Sequence, residues 1–532
     1  MSETTPVKDP RKARVIAKAV AGGTAGVASV ALVAAVAALG SLAPRSSGGP
    51  VPQASVAVPA GDSLSVCPAP PRLVAGSGDG TDAQFSPESS SASSVFRGLT
   101  LTAPDGRTPA SRIRGLDGNS LRELSKASPA TDGAASGLPD QKAVIAPDQA
   151  PAAGQVLQSG TLDGQATQGT AVLSYTAGDG DLQGLAAASC LAPSSDAWLL
   201  GASTQVGRTA VLNLSNPGTT AATVNLELFG DKGQIKAPGS RGLSIAPGQS
   251  RSLVLAGLAP EQNALAVHVM STGGPVAATI QQSVLRGLTP GGVDFIAPTA
   301  HPGTSQVVTG LSLSGNAAAG RLGSGFEDAV PALALAVPGE QDAVVQLKVY
   351  GKSGQQALAQ GVVNVPAGTV SLVPLNSLPD GDYTVSVTSD ASVLASARVV
   401  RGTDAKKPTD FAWAPSTPAI GTSQLIGVPA GGGSILEFGA PRGTAEVSYR
   451  PITADGAVQQ AAKVTLAAGT TTTADVPASA GGSPVVGYLL SASGDPAYVS
   501  LVQTQDKGTG VSVVAAPASS AGLDSLPVRL GH

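Results

Sequence analysis

From residue 209 onward the chain alternates apolar and polar positions with a period of two. In 209–287 the alternation falls on Val224, Leu226 and Leu228; in 331–402 on Val345, Leu347 and Val349; in 434–504 on Val447 and Tyr449. Period-two alternation buries one face of a strand and wets the other. The three stretches also share their punctuation. Each alternating strand runs into a glycine turn, at Lys232-Gly233, Ser353-Gly354 and Asp455-Gly456. A second turn follows, at Ala246-Pro247-Gly248, Pro366-Ala367-Gly368 and Ala467-Ala468-Gly469. Two further strands close each stretch: 265–269 with 276–280, 383–387 with 393–397, and 485–489 with 497–501. Six or seven short strands separated by turns predict an antiparallel sandwich. No stretch carries a sustained apolar stripe at helical spacing. The fold class expected is all-β: tandem immunoglobulin-like antiparallel β-sandwich modules, preceded by one transmembrane helix.

A shorter element recurs roughly every 100 residues, the length of one sandwich. It reads Asp196-Ala197-Trp198, Val293-Asp294-Phe295-Ile296-Ala297-Pro298, Asp410-Phe411-Ala412-Trp413-Ala414-Pro415 and Val511-Ser512-Val513-Val514-Ala515-Ala516-Pro517. Because one copy ends the chain, it is read as the last strand of each module. Trp198 and Trp413 then belong to core or inter-module packing. The domains expected are a cytoplasmic tail at 1–18, a transmembrane helix at 19–43, a linker at 44–61, and four modules at 62–198, 199–300, 301–415 and 416–532. The first module has irregular insertions. Gly76–Ser94 is rich in Gly, Ser and Asp and reads as a loose loop, and Ser120–Lys126 (SLRELSK) as one or two helical turns. Short links between the modules favour stiffness.

The N-terminus departs from this pattern. Residues 1–18 carry Lys8, Arg11, Lys12, Arg14 and Lys18 against Glu3 and Asp9, and 19–43 then run without a charge. Twenty-five helical residues span about 37 Å, enough for a hydrocarbon core of about 30 Å. The basic flank stays inside, so the expectation is a single-pass protein of the cell membrane, N-terminus cytoplasmic and C-terminal bulk extracytoplasmic. A cleaved signal peptide ending at Ser41-Leu42-Ala43 is the alternative. It is disfavoured because Pro44 follows directly and the apolar run exceeds the usual length of about 7–15 residues. Gly22-x-x-x-Gly26 would let two such helices pack as a dimer. The Pro/Ser/Gly-rich 44–61 reads as a linker.

Composition supports the strand reading. With 67 glycines and 41 prolines in 532 residues, long helices are broken. The length exceeds one hydrophobic core, so about three to five domains are expected. A net charge of −4 with mixed signs gives no basic face for nucleic acid. The two cysteines, Cys67 and Cys190, lie beyond the apolar segment and read as one disulfide in an oxidising compartment, nominally worth about 4–5 kcal/mol in the chain-entropy model.

Candidate chemistry is sparse. The three histidines, His268, His301 and His532, have no metal-binding spacing, so no metal ligand is assigned; His268, in ALAVHVM, reads as a strand residue. There is no G-x-S-x-G elbow. Gly303-Thr304-Ser305-Gln306 recurs as Gly421-Thr422-Ser423-Gln424 and reads as a structural turn. The acidic turns at 78–80 and 178–181 lack the ligand convergence that calcium needs, and 430–433 is a turn and not a phosphate loop. No catalytic residue and no cofactor is expected. Arg112, Arg114, Arg122 and Lys126 form a candidate anionic-ligand patch in the first module.

The segments SVCPAP, AASCLAPSSDAW and LNLSNPG resemble a family of secreted, membrane-anchored actinobacterial proteins defined only as a domain of unknown function. The resemblance covers nearly the whole exported part. It implies localisation and architecture, and no activity. The expectation is therefore a non-enzymatic extracytoplasmic binding or scaffolding protein of the cell envelope, with a cell-wall polymer or an envelope protein as partner. The alternative is a cell-envelope enzyme whose site in the first module acts on an anionic wall polymer.

Overall fold

The structure is a computed structural model that describes residues 55–56, 60–73, 89–128, 141–517 (except 153, 324 and 405) and 526–527. The expected tail, the span at 19–43 with its Gly22/Gly26 pair, and most of the linker lie outside the described residues. Among the described residues no helix is long and apolar enough to cross a membrane. Two units separate: 1–58 with 525–532, in which Ser55–Val56 pairs with Leu526–Pro527, and 59–524, which carries everything below.

The second unit is all-β, and every strand pair in it is antiparallel. Its strands form four repeats of one two-sheet sandwich. In the repeat around 196–296, one sheet runs Asp196–Ala202, Leu265–Thr272, Ala222–Gly230, Gly233–Ile235, and the other Ser250–Val254, Arg208–Ser215, Ala277–Arg286, Thr289–Ile296. The same order recurs in the last repeat, as Gln424–Gly427, Ser483–Gly494, Ala445–Thr453, Ala462–Leu466 and Thr470–Asp475, Gly433–Ala440, Tyr498–Thr504, Val511–Ala515. In the third, the 21-residue strand Gly381–Arg401 serves both sheets: its first half pairs with Gly303–Leu313 and Ala343–Gly351, its second with Ala332–Ala336 and Asp410–Pro415. The irregular first repeat also keeps the order, as Ser63–Val66, Val156–Ser159, Ser111–Arg114, Ser120–Ser125 and Ala143–Gln149, Ser93–Leu101, Gly169–Ala177, Gly184–Ser189. The alternating residues fill the cores: Val224, Leu226 and Leu228 lie in one cluster, Val345, Leu347 and Val349 in a second, Val447 in a third. The shared turns need glycine, because Gly248, Gly368 and Gly469 all sit near φ +69° (68, 69 and 69°), where a side chain is strained.

Two expectations are corrected. Ser120–Lys126 is not helical: Ser120–Ser125 is a strand on the edge of Ser111–Arg114, with Arg112 opposite Glu123 and Ile113 opposite Arg122. So short a segment gains little from helical bonds of its own, and the neighbouring edge offers a ladder. Asp196-Ala197-Trp198 does not close the first repeat; it opens the second, pairing with Leu265–Thr272. The first repeat closes on Gly184–Ser189 instead. Alternation marks a strand as buried but does not say which neighbour it pairs with.

The four repeats close into a ring. Arg114 Nη2 of the first donates to Pro217 O of the second (3.1 Å). Arg208 Nη2 of the second donates to Asp328 of the third (2.6 Å). Gly310 N–H of the third donates to Glu437 Oε1 of the fourth (2.7 Å). Ala143 N–H of the first donates to Gly456 O of the fourth (2.8 Å). At the centre lie the four closing strands Gly184–Ser189, Thr289–Ile296, Asp410–Pro415 and Val511–Ala515, each the last of its sheet and in contact with the next around the ring. Unpaired strand edges need partners, and side chains supply them. Trp413 N–H donates to Asp294 Oδ2 (2.7 Å), and Ala187 N–H to Ser512 Oγ (2.8 Å). Trp413 is the inter-repeat contact expected of it: a Cβ on Gly201 would lie 2.6 Å from its ring.

Candidate functional site

The disulfide joins Cys67 to Cys190. It ties the first strand of the first repeat to the chain leaving its closing strand, where Val66 and Leu191 exchange backbone hydrogen bonds (2.8 and 2.9 Å).

The four cations of the candidate patch do not converge. Arg114 faces inward, 5% exposed; its guanidinium donates to Gln158 Oε1 (2.7 Å) and to the carbonyls of Gly115, Leu116 and Pro217. Burial lowers its pKa from the ordinary arginine value, the response of a cation withdrawn from water. Arg112 is exposed and shares Gln158 Oε1 (3.2 Å from Nε). Arg122 and Lys126 are exposed on the edge strand and just past it, with Glu123 between them in sequence. Arg114 is therefore a clamp between repeats and not part of a ligand surface, which corrects its place in the patch. Strand alternation could not reveal this, because the carbonyl that fixes Arg114 comes from residue 217.

A different site forms where the closing strands end. All four run toward a cleft of about 320 Å³, within the range of small-ligand sites, about 300–1,000 Å³. Its walls are mainly apolar, with Ala187 from the first repeat, Ala278 and Phe295 from the second, and Val513 and Ala515 from the fourth; Ser189, Ser194 and Thr299 also line it, and Ser416 and Thr417, after the third closing strand, complete it. Ser416 and Thr417 are buried (1% and 7% exposed), and neither Ser416 Oγ nor Thr417 Oγ1 has a hydrogen-bond partner among the described residues. Buried hydroxyls are ordinarily paired.

The cleft's rim carries a charged cluster. His268 Nε2 lies 3.0 Å from Asp196 Oδ1, and Nδ1 lies 3.1 Å from Glu227 Oε2. The imidazole stacks on Trp198, ring centroids 3.8 Å apart. Adjacent strands place these three opposite one another: Trp198 faces His268 and His268 faces Glu227 in the ladder. His301, exposed, reaches within 3.9 Å of Asp196. A nucleophilic relay needs a free imidazole nitrogen to take a hydroxyl proton; both nitrogens of His268 face carboxylates, and the nearby Ser194 Oγ donates to the Asp196 carbonyl instead (2.7 Å). His268 is the strand residue expected, and Trp198 packs on it and on Phe229. Among the described residues no group of three or more His, Cys, Asp or Glu is arranged to hold a metal ion. His532 and 78–80 lie outside the described residues.

Above the cleft, the junction holds buried carboxyls. Burial pushes the Asp294, Asp410 and Glu437 carboxyls well above their ordinary values. On Asp410 this is opposed by four backbone N–H donors, from Leu185, Val511, Val293 and its own neighbour Phe411. Asp294 Oδ1 and Glu437 Oε2 have no partner among the described residues, so the neutral form is favoured there. The repeated Asp of DFIAP and DFAWAP was the sequence signal for this junction, but read as strand sequence it carried no such meaning.

No curated protein matches the chain. Among solved structures, one described as "Biofilm associated protein - BSP domain" aligns at 10% identity over 90% of this chain and 99% of its own, with a TM-score of 0.12, a likeness that bears on neither fold nor function. A model described as a family of unknown function, DUF5719, matches residues 145–477, which span the end of the first repeat, the second and third, and most of the fourth. More than half of the chain is matched, and the chain belongs to the DUF5719 family of unknown function.

Proposed function

We propose that the chain is a non-enzymatic binding or scaffolding protein of the cell envelope, anchored by residues 19–43 with its β-repeats outside, and that its partner docks in the cleft at the end of the closing strands. The observation that carries this reading is that the cleft takes wall residues from every repeat, so the closed ring as a whole builds one preformed recess. The Cys67–Cys190 disulfide suits an oxidising, extracytoplasmic setting. So does the resemblance to secreted, membrane-anchored actinobacterial proteins. We favour this over the enzyme reading, whose four-cation patch has one member, Arg114, facing inward. A cell-wall polymer or an envelope protein remains the class of partner.

The test is co-sedimentation of the full chain, in mild detergent, with isolated cell envelopes that contain both wall and membrane protein. Ala192 and Ala300 line the cleft, and Ala192→Trp or Ala300→Trp would fill it. Either variant is expected to lose envelope binding while keeping its thermal unfolding temperature. Binding that survives both would place docking elsewhere on the ring.

A further inference from the structure

The lining chemistry of the cleft narrows what it can take, and the argument rests on the reading of the cleft as the docking site. Among its lining residues Asp196 is the only carboxylate, and there is no lysine or arginine. The one other ionisable lining group, His301, is 70% exposed in its side chain and lies on the solvent side of Asp196. Behind Asp196, His268 bridges to a second carboxylate, Glu227. The two acids therefore outnumber any fixed cation at this end of the recess. Inside, the wall is mainly apolar: the hydroxyls of Ser189, Ser194 and Thr299 that also line it already donate to backbone carbonyls, and the unpartnered oxygens of Ser416 and Thr417 are buried behind its surface. Ala300 N–H donates to the backbone carbonyl of Ser416 (2.8 Å), and the next residue, His301, reaches within 3.9 Å of Asp196, so residues 300–301 tie the wall of the cleft to its rim carboxylate.

We propose that the cleft binds a small amphiphilic group with a protonated amine head and a compact apolar body, its ammonium toward Asp196 at the rim and its body against the apolar wall. An ammonium carries three donors and no acceptor, which matches the acceptor-only carboxylate of Asp196, whose side chain is 51% exposed at the rim. A carboxylate head would meet Asp196, with no lysine or arginine in the lining to compensate. A neutral alcohol of the same body would fill the apolar wall but gain nothing from the charge. The volume of about 320 Å³ limits the occupant to a fragment-sized ligand or a single side chain of a larger partner.

The experiment is calorimetric titration of the full chain, held in an amphipathic polymer, with hexylamine, hexanol and hexanoate, which share one apolar body. Hexylamine is expected to bind at least tenfold more tightly than hexanol, and hexanoate not at all. Asp196→Asn and Asp196→Ser are both expected to reduce hexylamine to the affinity of hexanol, with unfolding temperature unchanged. Ala300→Trp is expected to abolish binding of both. Hexanoate binding as well as hexylamine, or an amine preference that survives both Asp196 variants, overturns the proposal. If none of the three probes binds while Ala300→Trp still abolishes envelope binding, the amine assignment falls and the docking reading stands; if Ala300→Trp alters neither, the docking reading falls with it.

Discussion

The Asp410 carboxylate accepts the backbone N–H of Leu185, 225 residues earlier in the chain, at 2.8 Å. The same oxygen takes Val511 N–H (3.1 Å), and the other takes Val293 N–H (3.2 Å) and Phe411 N–H (3.0 Å). One side chain thereby joins the closing strands of all four repeats. Asp410→Asn replaces one acceptor oxygen with a donor that faces donors. Two N–H groups lose their acceptor, and at about 1–3 kcal/mol for each buried N–H left without a partner it is expected to destabilise the chain by about 2–6 kcal/mol, measured by denaturant unfolding. An unchanged midpoint would show that the junction does not depend on this carboxylate.

Gly292 explains why Asp410 can come so close. It sits at φ +113°, and a Cβ there would lie 2.2 Å from Asp410 Oδ1. Gly292→Ala combines backbone strain of about 1–3 kcal/mol with that clash. It is expected to lower the unfolding midpoint, and far more than Gly287→Ala, where φ is +63° and the space around the Cβ is open.

Asp294 and Glu437 give the fold a pH dependence. Both carboxyls are raised by burial in the folded chain and revert to ordinary values on unfolding. The folded state then holds more protons than the unfolded one between the two values. The stability tied to protonation is fully present below the ordinary carboxyl pKa and is lost as pH rises through the raised one. Unfolding temperature is expected to fall as pH rises above the ordinary carboxyl range, and Asp294→Asn and Glu437→Gln to flatten that slope. A slope unchanged in both variants would refute the assignment.

Arg114 and its three companions separate structure from surface. Arg114→Ala strands the carbonyls of Leu116 and Pro217 and is expected to cost about 2–3 kcal/mol. Arg122→Ala and Lys126→Ala are expected to stay within about 0.5 kcal/mol. Equal costs at Arg114 and Arg122 would overturn the inward placement of Arg114.

The Cys67–Cys190 bridge closes a loop across 123 residues of sequence separation. Reduction, or Cys67→Ser with Cys190→Ser, is expected to lower stability by about 2–5 kcal/mol. An unfolding midpoint indifferent to reductant would show that the backbone exchange at Val66 and Leu191 holds this end alone.

Strand content, the repeat and its turns were legible in the sequence because they follow from local causes. A period of two, a glycine that must take positive φ, and a proline that breaks a ladder each act within a few residues. The cysteine pair was legible for the same reason, since two thiols leave one intramolecular pairing. Ser120–Ser125 and Asp196–Ala202 were misread because the edge that a strand joins lies elsewhere in the chain, and no local pattern names it. The ring, the cleft and the Asp410 junction depend on contacts between residues 100 or more positions apart. Their signals are single letters: an Asp opening a closing strand, a Ser after another, a His between two acids on neighbouring strands. By itself the sequence determined what each repeat is made of. Only the tertiary structure decided how the repeats meet, because the hydrogen-bond partners of the closing strands are supplied by other repeats.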